Sequence, residues 1–316
     1  MESFETIDCI NCGSDRLYKV CEKGQFNIPT HVCVCEDCGL SFLSPRWTEQ
    51  KYLDFYQNDY DKYYRPNVIT QSYRKNADKD PYSYYPILKR LQDRGLISNA
   101  TKKYLDIGSG SGQKLEIFKS IEFIDTFYAI EPSKACFEQL KNRGVQVITN
   151  DISADWEKAY QSHFDLITMR HVLEHFMNPL EVLQKLRSTL SPNGIIYIAI
   201  PNALILENRQ LLKSFFRVVH TFYFNKYSIQ NLVHKAGYEI IDLQEGDEIH
   251  GLEIFLMIKP TSKALPITID SSVAEKQKAA YESKILEEMT LKFKTKQFLK
   301  EQWQLISNFK KTIFPR

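Results

Sequence analysis

The sequence predicts an α/β fold in which a parallel sheet is covered by helices on both faces. Between Lys103 and Pro260, apolar strand-like runs alternate with helix-like segments, which is the pattern of a sheet built from strand–helix–strand units. The first of these strands leads directly into a glycine-rich loop, Gly108-Ser109-Gly110-Ser111-Gly112. Two CxxC pairs before this region predict a small metal-binding module, and a helix-like tail follows it.

Length and charge limit the possible functions. The 316 residues suffice for about two domains, and 41 Lys and Arg against 39 Asp and Glu leave a net charge of +2. This balance disfavours nucleic acid as a partner, because nucleic-acid-binding proteins usually carry a large basic excess. No stretch approaches the ~18 apolar residues of a membrane span, and the first residues do not resemble a signal sequence. We therefore expect a cytoplasmic protein.

The cysteine pairs predict a structural zinc site. Cys9/Cys12 and Cys35/Cys38 have CxxC spacing, and a glycine follows each pair. Zinc prefers four thiolates in a tetrahedron, and a reducing cytosol disfavours disulfides. We therefore predict a zinc ribbon over residues 1–45, in which four thiolates leave no open position for catalysis. Three further residues are expected to lie outside the site: Cys21, His31 and Cys33.

A tyrosine-rich connector is predicted over residues 46–100. Nine of the 18 tyrosines lie between Tyr52 and Tyr85. A phenol combines an apolar face with a polar tip, which suits the covering of a polar small molecule. We predict a helical linker that packs its rings on the neighbouring domain and acts as a lid, followed by a helix over 86–94.

The central domain, residues 101–260, is predicted to contain five alternating strands. Each is a short apolar run: Tyr104–Ile107, Phe127–Ile130, Val145–Thr149, Phe164–Met169 and Ile195–Ile200. Helices are predicted from the glycine loop to Lys119, over 134–143 and over 179–190. In open sheets of this kind, ligands bind beyond the carboxyl ends of the strands.

The glycine loop and three acidic residues predict a nucleoside site at that edge. Asp106 precedes the loop, Glu131 ends the second strand and Asp151 follows the third. An acid at the end of the second strand can accept both ribose hydroxyls, and an acid after the third can accept from an adenine amino group. Gln113 stands where the dinucleotide motif has its third glycine, so the pattern favours a nucleoside without a pyrophosphate.

These motifs resemble those of class I S-adenosylmethionine-dependent methyltransferases. YLDIGSGSGQ is similar to the first motif of that family, AIEPS to its ribose-binding acid and NDI to its adenine contact. The resemblance covers about residues 104–259 and includes FDLITMRHVLEHFMNPLEVLQKLRSTLSPNGIIYIAIPN. YEIIDLQEG and LEIFLMIKP are similar to the terminal antiparallel hairpin of the family. The N-terminal zinc-binding module adds a similarity to sugar C-methyltransferases and to methyltransferases of surface-polysaccharide clusters.

The resemblance implies a Rossmann-like sheet of seven strands, with the last pair an antiparallel hairpin, and S-adenosylmethionine as the cofactor. Because the sulfonium carries an activated methyl group, the protein needs mainly to align a nucleophile with it. The resemblance also implies the residues that bind the cofactor: Asp106, Gly108, Gly110, Gly112, Glu131, Asp151, Ile152 and His171.

Two histidines are candidates for a catalytic base. His220 lies in a segment that resembles the HxSYFS stretch of the sugar C-methyltransferases, whose histidine is the proposed base, and His175 follows the fourth predicted strand. The chain has Arg217-Val218-Val219 where that family has tyrosine, histidine and glutamate, so O- or N-methylation of a sugar is supported as well as C-methylation. The alternative for His220 is a buried, hydrogen-bonded histidine with a structural role.

The segment His171-Val-Leu-Glu174-His175 also has the HxxEH pattern of a zinc-protease family. That chemistry requires both histidines on one helical face. Because His171 falls at the end of a predicted strand, we reject this interpretation.

Residues 261–316 are predicted to form a helical, basic tail. Lys292–Arg316 holds seven basic residues against one acid. Six apolar residues share one broad helical face: Phe298, Leu299, Trp303, Ile306, Phe309 and Ile313. Such a face packs on the same protein or in a homodimer, or binds reversibly at the inner face of the membrane.

The sequence therefore predicts a methyltransferase that acts on a nucleotide-sugar or surface-polysaccharide intermediate at an O, N or C atom. The first alternative is a zinc-ribbon RNA methyltransferase, which a salt-dependent RNA affinity would reveal. The second is a non-catalytic cofactor-binding or scaffold protein. The acids beside the glycine loop argue against a loss of cofactor binding.

Overall fold

The computed structural model describes residues 3–64, 85–206, 211–246 and 252–290, together with Thr295 and Lys300. The strands are β1 Phe4–Glu5, β2 Leu17–Lys23, β3 Pro29–Cys35, β4 Ser41–Leu43, β5 Arg46–Trp47, β6 Lys103–Ile107, β7 Thr126–Ile130, β8 Val145–Thr149, β9 Phe164–Arg170, β10 Leu190–Pro201, β11 Phe222–Tyr223, β12 Tyr238–Glu245 and β13 Glu253–Pro260. The helices are α1 Glu49–Asn58, α2 Tyr60–Tyr64, α3 Tyr85–Asp93, α4 Glu116–Lys119, α5 Phe137–Asn142, α6 Pro179–Thr189, α7 Leu212–Phe215, α8 Lys226–Lys235 and α9 Ser271–Met289.

A seven-stranded sheet forms the centre of the protein, with the strand order β12-β13-β10-β9-β6-β7-β8. Five neighbouring strands of this sheet pair in parallel, in the order β10, β9, β6, β7 and β8. β13 is antiparallel to both of its neighbours, β10 and β12. The predicted Rossmann-like sheet with a terminal antiparallel hairpin is confirmed. The carboxyl ends of β6, β7, β8, β9 and β10 therefore lie along one edge.

Apolar residues cover both faces of this sheet. Ile196 and Ile198 of β10 pack into one core cluster, which includes residues of α6 and α8. Tyr197 and Ala199 point the opposite way, into a second cluster with residues of α3, α4 and α5. This alternation follows from the two-residue period of a strand, and it explains why β10 is apolar throughout.

The strand and helix boundaries differ from the prediction in two places. β10 begins at Leu190 and not at Ile195, because Leu190 already pairs with Phe164 before an irregularity in the register. The two helices predicted after β6 and β7 each begin with a 3-10 turn, at 113–115 and 134–136, so that their α-helical parts are short.

The N-terminal ribbon is built into the larger domain. Its sheet has the order β11-β4-β3-β2, so that β11, which comes after the central strands in sequence, completes a sheet made by the first 45 residues. Phe222 pairs with Phe42 across this junction, and Leu40 and Phe42 belong to the same core cluster as the central sheet. Asn225 adds a hydrogen bond to the carbonyl of Gly39 at 3.0 Å.

The connector and the tail are described only in part. α1 and α2 account for the connector up to Tyr64, and residues 65–84 lie outside the described residues. α9 begins the predicted helical tail, and the hydroxyl of its Tyr281 donates to the hydroxyl of Ser41 in the ribbon at 3.2 Å. The predicted apolar face of the tail, from Phe298 to Ile313, also lies outside the described residues. Within the described part of the chain, no helix has the length and apolar character needed to cross a membrane.

Candidate active site and cysteine cluster

The loop after β6 has a backbone conformation that glycine adopts easily. Gly108, Gly110 and Gly112 have φ angles of 74°, 56° and 73°, in the left-handed region. A Cβ atom at Gly108 would lie 2.4 Å from Cγ2 of Val172, whereas one at Gly110 would meet none of the described atoms within 4 Å. The loop is therefore closed against the protein at Gly108 and accessible at Gly110, where a ligand can approach the backbone.

Glu131, the predicted ribose-binding acid, lies directly against this loop. Its side chain is fully buried, and its two carboxylate oxygens accept the N–H groups of Gly110 at 2.7 Å and Ser133 at 2.9 Å. The carboxylate thus joins the end of β7 to the glycine loop. A carboxylate offers about four lone-pair sites, so these two amides do not exhaust its capacity as an acceptor.

The other two acids have different surroundings. Asp106 is buried and accepts a hydrogen bond from the hydroxyl of Thr168 at 2.6 Å, which also lies 2.6 Å from the hydroxyl of Tyr104. Asp151 is exposed, and its Oδ1 accepts the N–H of Ser153 at 2.8 Å. Asp106 therefore ties β6 to β9 beneath the loop, whereas Asp151 presents its carboxylate to solvent after β8.

The residues predicted to bind a nucleoside follow neighbouring strands at this edge. Gly110 leaves its backbone approachable, and two acids, Glu131 and Asp151, follow the neighbouring strands β7 and β8. Ile152 packs partly buried against the core and offers apolar surface for a base. The sequence-predicted residues of β6, β7 and β8 thus come together at one edge, and their individual contacts with a cofactor stay predictions.

His171 follows β9 and lies between two carboxylates. Its Nε2 is 2.7 Å from Oε1 of Glu253, and its Nδ1 is 3.5 Å from Oε1 of Glu174. Burial by itself lowers the pKa of His171, but the two carboxylates outweigh this effect and raise the pKa to about 9. Arg170 also pairs with Oε1 of Glu253 at 2.7 Å. At neutral pH the His171 imidazole is therefore protonated and acts as a donor.

Three side chains just beyond this ion-pair network form the histidine–glutamate cluster, which consists of Glu174, His175 and His220. One ligand atom of each lies within 4.8 Å of those of the other two. The two imidazole rings meet edge to face, with centroids 4.7 Å apart. The hydroxyl of Thr221 lies 3.1 Å from the carbonyl oxygen of Glu174 and 2.7 Å from that of Phe176, which holds the two chain segments together.

His220 is neutral in this environment. Its residue is only 7% exposed, and burial lowers its pKa well below the usual value, with the charges of His175 and Arg217 acting in the same direction. A neutral imidazole has a lone pair that can accept a proton or bind a cation. The structure therefore leaves His220 chemically competent, although buried.

The tyrosine-rich connector reaches the histidine–glutamate cluster through α1. The hydroxyl of Tyr56 lies 3.3 Å from Nδ1 of His175. One turn earlier, the hydroxyl of Tyr52 donates to the carbonyl of Val218 at 2.8 Å, two residues before His220. The connector thus contacts both segments of the cluster. Its predicted role as a lid stays a prediction.

The four cysteines of the two CxxC pairs also come together. Their sulfur atoms all lie within 4.8 Å of one another, with Cys9 3.4 Å from Cys38 and Cys12 3.4 Å from Cys35. All four are free thiols. These contacts are close to the sulfur–sulfur separation of roughly 3.8 Å that a Zn–S bond of about 2.3 Å gives in a tetrahedron.

Hydrogen bonds between the thiols change the pKa values of the cysteine cluster. A hydrogen bond with Cys35 raises the pKa of both Cys9 and Cys38 above the usual range, and the hydrogen bond from Cys38 lowers the pKa of Cys35 to about 2. Without a cation, the group therefore holds one thiolate readily and resists further ionisation. A divalent cation would stabilise all four thiolates.

The remaining cysteines of the ribbon lie outside this cluster, as expected. The thiol of Cys21 donates to the carbonyl of Thr30 at 3.6 Å, and that of Cys33 donates to the carbonyl of Ser44 at 3.3 Å. Both stabilise the ribbon through its backbone.

The structure pairs the histidines differently from the HxxEH pattern. His171 has a left-handed φ of 56° and lies outside any helix, whereas His175 meets His220 from a distant part of the sequence. Glu253 was missed by the sequence reasoning. A usable signal was its place at the start of β13, where it pairs with Pro201 at the carboxyl end of β10.

Comparison with known proteins identifies one matching family. The model of the methyltransferase domain matches residues 73–243, more than half of the chain. The match includes the glycine loop, both predicted nucleoside-binding acids and the histidine–glutamate cluster.

Two curated relatives extend this finding. The C-methyltransferase NovU of Streptomyces niveus is 24% identical over 248 residues, which cover 76% of this chain and 53% of NovU. The ubiquinone biosynthesis O-methyltransferase of Histophilus somni is 29% identical over 108 residues, which cover 32% of this chain and 45% of that protein. The chain thus spans about half the length of the curated relatives it matches.

A solved structure shares the fold. The 1,6-didemethyltoxoflavin-N1-methyltransferase of Burkholderia thailandensis, solved with 1,6-didemethyltoxoflavin and S-adenosylhomocysteine, aligns with a TM-score of 0.52 and 15% identity. The alignment covers 77% of this chain and 100% of that one.

Proposed function

The chain belongs to the family of methyltransferase domains, and from this premise we propose that it transfers the methyl group of S-adenosylmethionine to a saccharide. The observation that carries the proposal is the position of the histidine–glutamate cluster. Val172 packs directly on Gly108 of the glycine loop, and the cluster begins two residues later. Groups that can activate a nucleophile therefore lie next to the loop where the cofactor is expected.

The site has a cofactor end at the glycine loop and an acceptor end at the histidine–glutamate cluster. The cofactor supplies an electrophilic methyl group on a sulfonium. Glu131 and Asp151 would hold its ribose and adenine, and the exposed backbone at Gly110 would face it. The range matched by the family model includes the glycine loop and both acids, which supports this assignment.

At the acceptor end, we assign His220 as the group that removes a proton from the acceptor, with His175 as the competing candidate. The neutral state of His220 leaves its ring lone pair available to accept a proton, while the lowered pKa makes the imidazole a weaker base than a free histidine. A positioned base contributes roughly 10²–10⁴-fold to a rate. His220 is buried and His175 is half-buried beside α1, which would limit the access of water to the reacting atoms, as transfer of a methyl group to an acceptor and not to water requires.

The saccharide class rests on sequence features beyond the domain itself. The cysteine-rich N-terminal module and the segment around His220 resemble the corresponding parts of sugar C-methyltransferases. The similarity to NovU over 76% of this chain reaches well beyond the central sheet. A nucleotide sugar or a surface-polysaccharide intermediate is the acceptor that these features favour.

We also propose that the cysteine cluster binds one structural zinc ion. The four sulfur atoms have the spacing that a tetrahedral ZnS₄ site requires. Because all four positions would be filled by thiolates, such an ion would support the ribbon and take no part in the chemistry.

The test is a direct search for the methylated product. Purified protein is incubated with methyl-labelled S-adenosylmethionine and a panel of nucleotide sugars, and the products are analysed by mass spectrometry. We expect one labelled methyl group on one class of sugar. If the cofactor binds but no saccharide is methylated, the saccharide assignment is wrong.

A variant of Glu131 tests the cofactor end separately. Glu131→Ala removes charge-assisted hydrogen bonds to the ribose, each worth about 1.5–3 kcal/mol, so calorimetry should show S-adenosylmethionine binding weakened by at least ~100-fold. Circular dichroism controls for loss of the fold. Unchanged affinity would show that this carboxylate does not bind the ribose.

A further inference from the structure

We propose that the histidine–glutamate cluster is a binding site for a divalent transition-metal cation, separate from the cysteine cluster. The inference goes beyond methyl transfer, because it concerns what Glu174, His175 and His220 bind and can be tested without any acceptor. Its argument rests on the set of donors, on the burial of the carboxylate and on the surroundings of the histidines.

The donors match those of a catalytic metal site. Two imidazoles and one carboxylate, with one ligand atom of each within 4.8 Å of the others, form the set that binds Zn²⁺ and related ions in open sites. Three protein ligands leave coordination positions free, in contrast to the four thiolates of the cysteine cluster. Nitrogen and oxygen donors also bind Mn²⁺ and Co²⁺, whereas thiolate sites prefer zinc to these ions.

The Glu174 carboxylate points independently to a cation. The residue is 1% exposed, and neither of its oxygens accepts a hydrogen bond from a described residue. The His171 ring nitrogen lies 3.5 Å away, longer than the 2.7–2.9 Å of a charge-assisted hydrogen bond. The ion pair with His171 offsets part of the cost of burying this carboxylate, and a cation bound at the oxygen atoms that accept no hydrogen bond would offset more of it.

The histidines are also prepared for ligation. His220 is buried, and its ring meets that of His175 edge to face with centroids 4.7 Å apart. The ring of His175 is held by the Tyr56 hydroxyl at 3.3 Å from Nδ1, the kind of outer contact that fixes the tautomer and orientation of a ligating histidine. The ligands therefore come from two chain segments that Thr221 already holds together.

A cation at this place would offer a second way to activate the acceptor. An acceptor oxygen bound at an open position would lose its proton to solvent more readily, because the cation would stabilise the resulting oxyanion. The direct transfer of the proton to His220 applies when the cluster holds no cation. Because cation binding is measured without an acceptor, each proposal can fail alone.

The experiment titrates the full-length, zinc-loaded protein with Mn²⁺ and measures free Mn²⁺ by electron paramagnetic resonance. We expect one Mn²⁺ bound per chain in addition to the zinc of the cysteine cluster. Loss of an outer contact already costs 10–100-fold in metal affinity, so His220→Ala and Glu174→Gln should weaken Mn²⁺ binding by at least ~100-fold. The matched control is His234→Ala, since Nδ1 of His234 lies 2.8 Å from the carbonyl oxygen of Pro266 and outside the cluster.

Glu174→Gln keeps the shape of the side chain and covers the case in which His220→Ala fails to fold. Absence of Mn²⁺ binding to the wild-type protein, or equal affinity in folded Glu174→Gln, would overturn the metal site. Methyl transfer that persists in such a protein would leave the proposed function intact. Mn²⁺ binding without methyl transfer to any saccharide would instead support the site and refute the saccharide function.

Discussion

The cysteine cluster and the histidine–glutamate cluster both gather metal-binding side chains, but the chain builds them in different ways. The cysteine cluster takes its four sulfur atoms from two knuckles within the first 38 residues. The histidine–glutamate cluster joins residues 174 and 175 to residue 220, and it depends on α1 and Thr221 to hold the two segments. Under the two proposals, the four thiolates of the cysteine cluster would fill every position around a zinc ion, whereas the three ligands of the histidine–glutamate cluster would leave positions open.

The two clusters are also connected through the fold. β11 begins two residues after His220 and pairs with β4 of the ribbon. Cys35 and Cys38 belong to the same core cluster as Phe222 and Phe224. We therefore expect damage at the cysteine cluster to reach the histidine–glutamate cluster, and expect little effect in the opposite direction.

The largest effect is expected from Cys35→Ser. Structural zinc sites supply on the order of 10 kcal/mol of apparent binding free energy, so loss of one ligand should unfold the ribbon, lower Tm markedly and abolish methyl transfer. Elemental analysis for zinc and thermal unfolding measure the two results. Cys21→Ser is the matched control, because the Cys21 thiol lies outside the cysteine cluster and donates to the Thr30 carbonyl at 3.6 Å. Full zinc content and a wild-type Tm in Cys35→Ser would contradict the prediction.

The same contrast explains what the sequence could predict. The CxxC pairs and the glycine loop are local patterns that the sequence shows directly. The structure brings the four cysteines together and places the glycine loop directly after β6. The five parallel strands were also found from apolar runs, although the start of β10 was missed because Leu190 pairs before the turn-like Pro192-Asn193-Gly194. Local chemistry was therefore sufficient wherever the contact partners lie close in sequence.

Long-range contacts were beyond this reasoning. The sequence offered His175 and His220 as alternatives for one role, whereas the structure places their rings 4.7 Å apart. The addition of β11 to the ribbon sheet joins residues about 180 positions apart, and two-residue strands carry no periodic signal. Glu253 was missed for the same reason, since its partner His171 follows β9 and is distant in sequence.

An intermediate effect is expected from His220→Ala. Loss of this imidazole should lower the single-turnover rate by roughly 10²–10⁴-fold, with S-adenosylmethionine affinity and zinc content unchanged, because His220 contacts neither the glycine loop nor the cysteines in the described contacts. His175→Ala, measured alongside it, shows which ring matters more. If His220→Ala keeps a near wild-type rate or only unfolds, the residue is structural and the role passes to His175 or to no base.

The smallest effect is expected from Tyr56→Phe, which removes a single hydroxyl beside His175 and leaves the ring that packs in the connector. A hydrogen bond of this kind contributes about 0.5–1.5 kcal/mol, so the single-turnover rate should fall by about 2- to 12-fold. Because Tyr56 would act by positioning His175, Mn²⁺ affinity should fall as well, while Tm and S-adenosylmethionine affinity stay at their wild-type values. Tyr18→Phe is the matched control, since it also loses one tyrosine hydroxyl, which here donates to Glu282 at 2.8 Å on the exposed surface of the ribbon. A purely structural role for Tyr56 would lower Tm without a change in Mn²⁺ affinity. That outcome would also show that the connector covers the histidine–glutamate cluster without orienting it.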